Sequence, residues 1–236
     1  MADPGAGVTP VTARAHTFVA DLTAPALSAD DHRHLVRVLR LPPGSPVTAC
    51  DGRGAWRPCR LGEGPELSPD GEIVVDPSPD PTLTVAFALV KGERPELVVQ
   101  KLTEVGVDRI VPFVAERSVV RWDAAKAARQ VGRWHEIARQ AAMQCRRTTL
   151  PTVDPLATFA EAAALPGAAR ADVTGGPPTL DHPTVLIGPE GGWSRGEVEN
   201  ALPSVRLGST VLRAETAAIT AGAIFAALRS GLLRHG

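Results

Sequence analysis

Glu190, Arg213 and Glu215 stand in or beside two glycine-bearing loops near the C-terminus, one cation and two carboxylates able to move a proton or stabilise an anion next to a bound molecule. The first loop, Gly188-Pro189-Glu190-Gly191-Gly192-Trp193, ends the apolar run Thr184-Val185-Leu186-Ile187. Glycines let main chain approach a ligand closely and adopt φ > 0, so the stretch predicts a site built from backbone. Ser194, three residues before Glu197, is a Ser-x-x-Glu capping box. The loop therefore joins a strand to a helix, at the strand end where open α/β sheets bind ligands. A second loop follows through Val205-Arg206-Leu207-Gly208 and Val211-Leu212 into a polar cluster that opens the last helix. Neither loop has a phosphate-cradling pattern, so a nucleoside without phosphates suits them better.

The residues of both loops, Ile187-Gly188-Pro189-Glu190-Gly191-Gly192, Leu207-Gly208 and Leu212-Arg213-Ala214-Glu215-Thr216-Ala217, resemble the SPOUT-class methyltransferases that act at uridine N3 of 16S ribosomal RNA. The likeness extends to Lys91-Gly92-Glu93-Arg94, Gln100 to Val107, Pro112, Glu116-Arg117-Ser118 and Arg133-Trp134, and to His34 to Leu41 near the N-terminus. Where that family reads Glu-Gln-Ser before an arginine, this chain has Met143-Gln144-Cys145-Arg146, so no role of that glutamate or serine carries over. The resemblance implies S-adenosylmethionine as cofactor, held by Leu186, Ile187, Gly188, Glu190, Gly191, Gly192, Leu207, Gly208, Leu212, Arg213, Thr216 and Ala217. The loops bring Glu190, Arg213 and Glu215 beside that cofactor, and Arg213 and Glu215 are the expected catalytic residues; the resemblance further implies a PUA-like RNA-binding barrel at the N-terminus, a trefoil knot around the two loops, and a homodimer.

Positioning these residues requires an α/β domain. Three prolines within Asp76-Pro77-Ser78-Pro79-Asp80-Pro81 resist helix and sheet interior and predict a linker at 76–81 between a domain at 1–77 and one at 82–236. Before it lie strand-like pieces at His16–Val19, Val47–Cys50, Ala55–Leu61 and Glu72–Val75. A short helix capped by Ser28 and Asp31, ended by Pro42-Pro43-Gly44, offers Leu35, Val38 and Leu39 as its buried stripe. After the linker, strands at Leu83–Val90 and Arg109–Val114 bracket a helix between Pro95 and Gly106, and a basic helix runs from Ala124 to Cys145. Such alternation predicts a parallel sheet with helices on both faces.

Charge points to the partner. The chain of 236 residues is net −1, yet residues 117–147 carry seven Arg and one Lys against Asp123 and Glu136. Residues 28–60 carry six Arg against three Asp, whereas 61–90 hold six acids and no Lys or Arg. Segregated basic segments are an electrostatic footprint for RNA phosphates. The residues assigned to RNA are Arg37, Arg40, Lys91, Lys101, Arg117, Arg121, Arg133, Gln144, Arg146 and Arg147, with Arg129 and Arg139 also on the basic helix.

Composition excludes other classes. Hydrophobic residues make up 44%, apolar stretches break well before membrane-spanning length, and the first twenty residues lack a basic start followed by an apolar run, so a cytoplasmic protein is expected. Cys50, Cys59 and Cys145 read as reduced thiols without zinc spacing; His32 and His34 fall on different helix faces, His135-Glu136 lacks a second histidine, and no metal is expected. The alternatives are a catalytically silent RNA-binding ribosome-assembly factor and a nucleotide-dependent enzyme such as a dehydrogenase. The intact glycines and Arg213-Ala214-Glu215-Thr216 oppose the first, and the absent dinucleotide fingerprint opposes the second. The helix from Thr216 to Leu233 is apolar on nearly every side, which calls for enclosure by the sheet or by a second subunit.

Overall fold

The computed structural model describes residues 8–92 and 94–234. They fall into two compact units, those within residues 1–78 together with 142–150, and those within residues 79–141 together with 151–236.

The first unit is mostly β: β1 (Ala15–Phe18), α1 (Ala29–Arg33), β2 (Pro46–Cys50), β3 (Ala55–Leu61), β4 (Leu67–Pro69) and β5 (Val74–Val75). The sheet runs β1-β2-β3-β4, with β5 also on β3; β1 lies parallel to β2 and the remaining pairs are antiparallel. Ala15, Val47, Ala49, Cys59, Leu61 and Leu67 fill its core together with Leu35. The Ser28 hydroxyl accepts from Asp31 N–H at 3.1 Å and caps α1. The expected stripe of this helix is corrected: Leu35 is buried, but Val38 is 65% and Leu39 45% exposed. From His34 to Val38 the winding is π-helical, with Leu39 N–H bonded to His34 C=O, and this wider turn carries the residues after Leu35 off the 3.6-residue period.

Residues 142–150 belong to this unit through contacts distant in sequence, which a single cut at the prolines does not anticipate. Arg146, at φ 65°, donates to the carbonyls of Pro10 (2.8 Å) and Ala13 (2.6 Å), and Thr148 Oγ1 donates to Asp76 Oδ2 at 2.6 Å. His16 Nε2 lies 2.8 Å from the Arg147 carbonyl and must carry the ring proton, while Nδ1 lies 2.8 Å from Thr48 Oγ1. Burial first, with the nearby Arg146 charge adding, pushes the pKa of His16 down to about 4. Its folded-state pKa is below the ordinary 6.5, so the stability it contributes is present above pH 6.5 and is lost as pH falls towards 4. The loss amounts to roughly 3 kcal/mol for a shift of that size. Urea unfolding followed at pH 7 and at pH 4.5 is expected to show this loss in the natural chain, and a His16→Gln chain should show a shallower pH dependence.

The second unit contains β6 (Thr84–Ala88), α2 (Arg94–Glu104), β7 (Arg109–Val114), most of α3 (Ala124–Cys145), β8 (Thr152–Val153), β9 (Ala157–Thr158) and α4 (Phe159–Ala163). It continues with β10 (Ala168–Gly176), β11 (Thr184–Ile187), α5 (Arg195–Glu199), β12 (Ser204–Val205) and α6 (Ala214–Arg229). The strands form one parallel sheet in the order β12-β10-β11-β6-β7-β8, with β9 beside β7. Its central strands are apolar on both faces, as a doubly covered parallel sheet requires. Val85, Phe87, Val185 and Ile187 pack with α2, α3 and α6 through Leu102, Trp134 and Phe225. Ala86, Ala88, Leu186 and Phe113 face the other way, against Ala162 and Phe159 of α4 and against Trp193. No helix among the described residues is long and apolar enough to cross a membrane.

Candidate active site

The carboxyl end of β11 and the middle of β10, at Ala171 to Val173, open on a cavity of about 620 Å³, a volume usual for small-molecule sites. Ile187 and Gly188 end β11, and the chain then turns back on itself, with Gly192 N–H bonded to Pro189 C=O at 2.9 Å. Gly192 holds φ +69°, the left-handed conformation that favours glycine. Trp193 folds over Gly188 so closely that a Cβ there would sit 2.9 Å from the indole. The indole is fixed by its Nε1–H to the Ala171 carbonyl (3.0 Å) and by parallel stacking on Phe113 at 6.3 Å between centroids. Ser194 and Glu197 form the reciprocal cap of α5, and the second oxygen of Glu197 accepts from Glu116 N–H at 2.8 Å, tying this loop to the end of β7. Arg117 braces the same loop by donating to the Gly191 carbonyl at 3.2 Å.

The second wall is Leu207-Gly208 and the segment from Thr210 to Ala214, with Ala217 from the first turn of α6. A Cβ on Gly192 or Gly208 would meet no atom within 4 Å. Both glycines line the cavity, and their bare backbone leaves open space that a flat ring system can lie against. Arg213 is the N-cap of α6 and its side chain makes no cap bond among the described residues, and the positive end of that helix favours negative charge.

Three charged groups gather here. Arg94 Nη1 donates to Glu190 Oε1 at 2.8 Å, and its Nε lies 3.7 Å from Glu215 Oε1. The other oxygen of Glu215 is buried without a hydrogen-bond partner among the described residues. A buried carboxylate oxygen with no donor is costly, and a ligand N–H would satisfy it. On the opposite wall, the backbone N–H and the hydroxyl of Thr174 bond the Asp172 carboxylate and, with Arg170 nearby, hold its pKa below the ordinary carboxylate range. Asp172 therefore stays ionised, and a cationic ligand group is favoured beside it.

Of the residues expected at the cofactor, Ile187, Gly188, Glu190, Gly192, Leu207, Gly208, Leu212, Arg213 and Ala217 line the cavity. Leu186 points into the sheet core at 0% exposure, Gly191 rests against Arg117, and Thr216 is exposed on α6. Asp172, Val173, Val198 and Thr210 line the cavity without having been singled out in the sequence, and Trp193, the last residue of the first loop's motif, lines it too. Among the described residues, no group of three or more His, Cys, Asp or Glu side chains has a metal-holding arrangement.

The residues assigned to RNA are dispersed. In the first unit Arg37, Arg40 and Gln144 are exposed, whereas Arg146 is committed to two main-chain carbonyls and Arg147 presents its carbonyl to His16 and a 3.4 Å contact to Thr149 Oγ1. In the second unit Lys101 pairs with Glu104 (2.8 Å), Arg133 pairs with Glu96 (2.9 Å), and Arg117 holds the glycine loop. Arg139 lies 3.9 Å from Glu136. Lys91 and Arg121 line a second cavity.

Residues 77–226 match the model of the RNA methyltransferase domain family. The ribosomal RNA small subunit methyltransferase E of Mycobacterium bovis is 30% identical over 220 residues, covering 83% of each chain. A solved structure of the protein of that name from Neisseria gonorrhoeae, bound to S-adenosyl methionine, is 27% identical with a TM-score of 0.74, covering 91% of this chain and 97% of that one. A probable rRNA-methyltransferase from Porphyromonas gingivalis superposes with a TM-score of 0.77 at 26% identity, over 93% of this chain and all of the other. With both glycine loops lying inside the matched span, the chain belongs to the RNA methyltransferase family.

Proposed function

We propose that this protein transfers the methyl group of S-adenosylmethionine to N3 of a uridine in 16S ribosomal RNA. The observation that carries the reading is the buried Glu215 Oε2, unpartnered among the described residues, on a carboxylate whose other oxygen lies 3.7 Å from Arg94, which bonds Glu190 in the wall of the glycine-lined cavity. The cavity fits the cofactor: Gly192 and Gly208 leave room for a flat adenine, Leu207, Leu212 and Ile187 give apolar walls, and ionised Asp172 suits a cationic group. When bound, S-adenosylmethionine supplies a methyl group already activated on a sulfonium. The chain therefore has to hold cofactor and base in line, and orientation alone can supply on the order of 7–11 kcal/mol. Uridine N3 carries a proton that must leave; Glu215 Oε2 accepts it, Arg213 and the amides at the start of α6 stabilise the imide anion, and Arg94 holds Glu190 and Glu215 in place.

The same reading makes the first unit a PUA-like RNA-binding barrel, runs the two glycine loops through a trefoil knot, and places the protein in the cytoplasm, acting within the small ribosomal subunit. Titration calorimetry tests the cofactor assignment: S-adenosylmethionine is expected to bind, with NAD and ATP giving no heat, and the reverse preference would refute it.

We also infer a homodimer through the C-terminal half. Only Ala214, Ala218, Ala221, Gly222 and Phe225 of α6 are buried in the single chain, while Ala223 is exposed and Ile219, Ile224 and Leu228 are half-buried. Alanines at that face permit close approach of a second copy. Sedimentation equilibrium at micromolar concentration is expected to give twice the chain mass of 24.7 kDa, and an active species at the single-chain mass would overturn the dimer.

A further inference from the structure

A second cavity, about 460 Å³, opens between the loop after β6 and the start of α3, and it takes no part in holding the cofactor. Lys91, Arg121, Trp122, Lys126, Gln130 and Trp134 supply its chemistry, and no carboxylate lines it. The cofactor cavity, by contrast, carries Asp172 and Glu190. Lys91 and Lys126 make no ion pair among the described residues, and Arg121 donates one N–H to the Glu116 carbonyl at 3.1 Å, leaving its other donors free. Lys126 Nζ lies 5.7 Å from the centroid of the half-buried Trp122 ring, which in turn sits 5.7 Å from Trp134. Trp134 is 1% exposed, and its Nε1–H has no acceptor among the described residues. A buried indole donor left unmatched is unusual and fits a wall that awaits an acceptor from a ligand.

An aromatic platform flanked by cations, with a free N–H donor and no acid, is the chemistry that takes an unpaired base together with its phosphate. We propose that this cavity holds an unpaired nucleotide of the RNA substrate, its base against Trp122 and its phosphate among Lys91, Arg121 and Lys126. The proposal rests on the RNA-methyltransferase reading and adds to it a site distinct from the one that takes the methylated base. The two sites are neighbours: Lys91 is three residues from Arg94, at most about 11 Å of chain, and Arg94 bonds Glu190 of the cofactor cavity. One RNA strand can therefore place a base in each.

The test uses the full chain and labelled oligouridine, as a single strand and in duplex with oligoadenosine, read by fluorescence anisotropy. Single strands are expected to bind in preference to duplex. Trp122→Leu should weaken single-strand binding roughly tenfold, in the range of one lost base stack, with S-adenosylmethionine affinity unchanged as the check on folding. Lys126→Glu, on an exposed side chain, should lower the slope of log affinity against log salt by about 0.7. If the natural chain binds the strand but both variants bind it equally well, the pocket is refuted while the methyltransferase reading stands. Equal binding of duplex, or uridine monophosphate binding as tightly as the strand, refutes an unpaired RNA nucleotide as the occupant. Failure of the natural chain to bind any single strand overturns the pocket together with the RNA reading beneath it.

Discussion

Glu215→Gln is expected to lower kcat by about 10²–10⁴ while leaving S-adenosylmethionine affinity nearly unchanged, because the amide keeps the shape and the approach to Arg94 but cannot take a proton. The lost rate should return in part at alkaline pH, where uridine N3 gives its proton to solvent instead. That recovery separates a proton acceptor from a structural carboxylate, which would simply stabilise the first turn of α6 and whose loss would lower cofactor affinity or stability at every pH. Methyl transfer from labelled cofactor across a pH series is the measurement. An undiminished rate in Glu215→Gln would move the proton to another group, Glu190 first.

Gly208→Val should reduce S-adenosylmethionine affinity at least about 100-fold, about 2.7 kcal/mol, with the unfolding midpoint of the ligand-free protein essentially unchanged. Gly208 has an ordinary φ and open space where a Cβ would stand, so the valine enters the cavity without straining the fold. Gly192 lines the same cavity, but its φ of +69° means that a valine there adds backbone strain of about 1–3 kcal/mol to the steric effect. Gly208 is thus the cleaner position. Unaltered affinity by calorimetry in a folded Gly208→Val chain would show that the cofactor lies elsewhere.

What could be read from the sequence was local. The run Thr184–Ile187 is β11, the Ser194 and Glu197 pair caps α5, and Ala124–Cys145 is α3, because each carries its signal within a few residues. β10 gives no such signal. Ala168 to Gly176 has no apolar alternation, and its pairing to β12 shifts register between Ala171 and Gly176, so the wall that brings Asp172 to the cavity is set by tertiary pairing. Trp193 follows the glycines in sequence, yet its place over Gly188 depends on Ala171 and Phe113, far away in the chain. Val38 and Leu39 escape burial because a π-helical turn breaks the period that predicted them inside. Arg146 shows why charge runs mislead: it counts as a cation in a basic segment, but its guanidinium holds the carbonyls of Pro10 and Ala13.

The most direct test of the central claim is to incubate the purified chain with S-adenosylmethionine and small-subunit ribosomal RNA, both free and in the assembled subunit, then digest the RNA and identify the methylated nucleoside by chromatography and mass spectrometry. The expected product is 3-methyluridine, lost in Glu215→Gln and in Gly208→Val. A methyl group on the ribose or on a ring carbon, or no methylated nucleoside from either substrate while the cofactor binds, would contradict it.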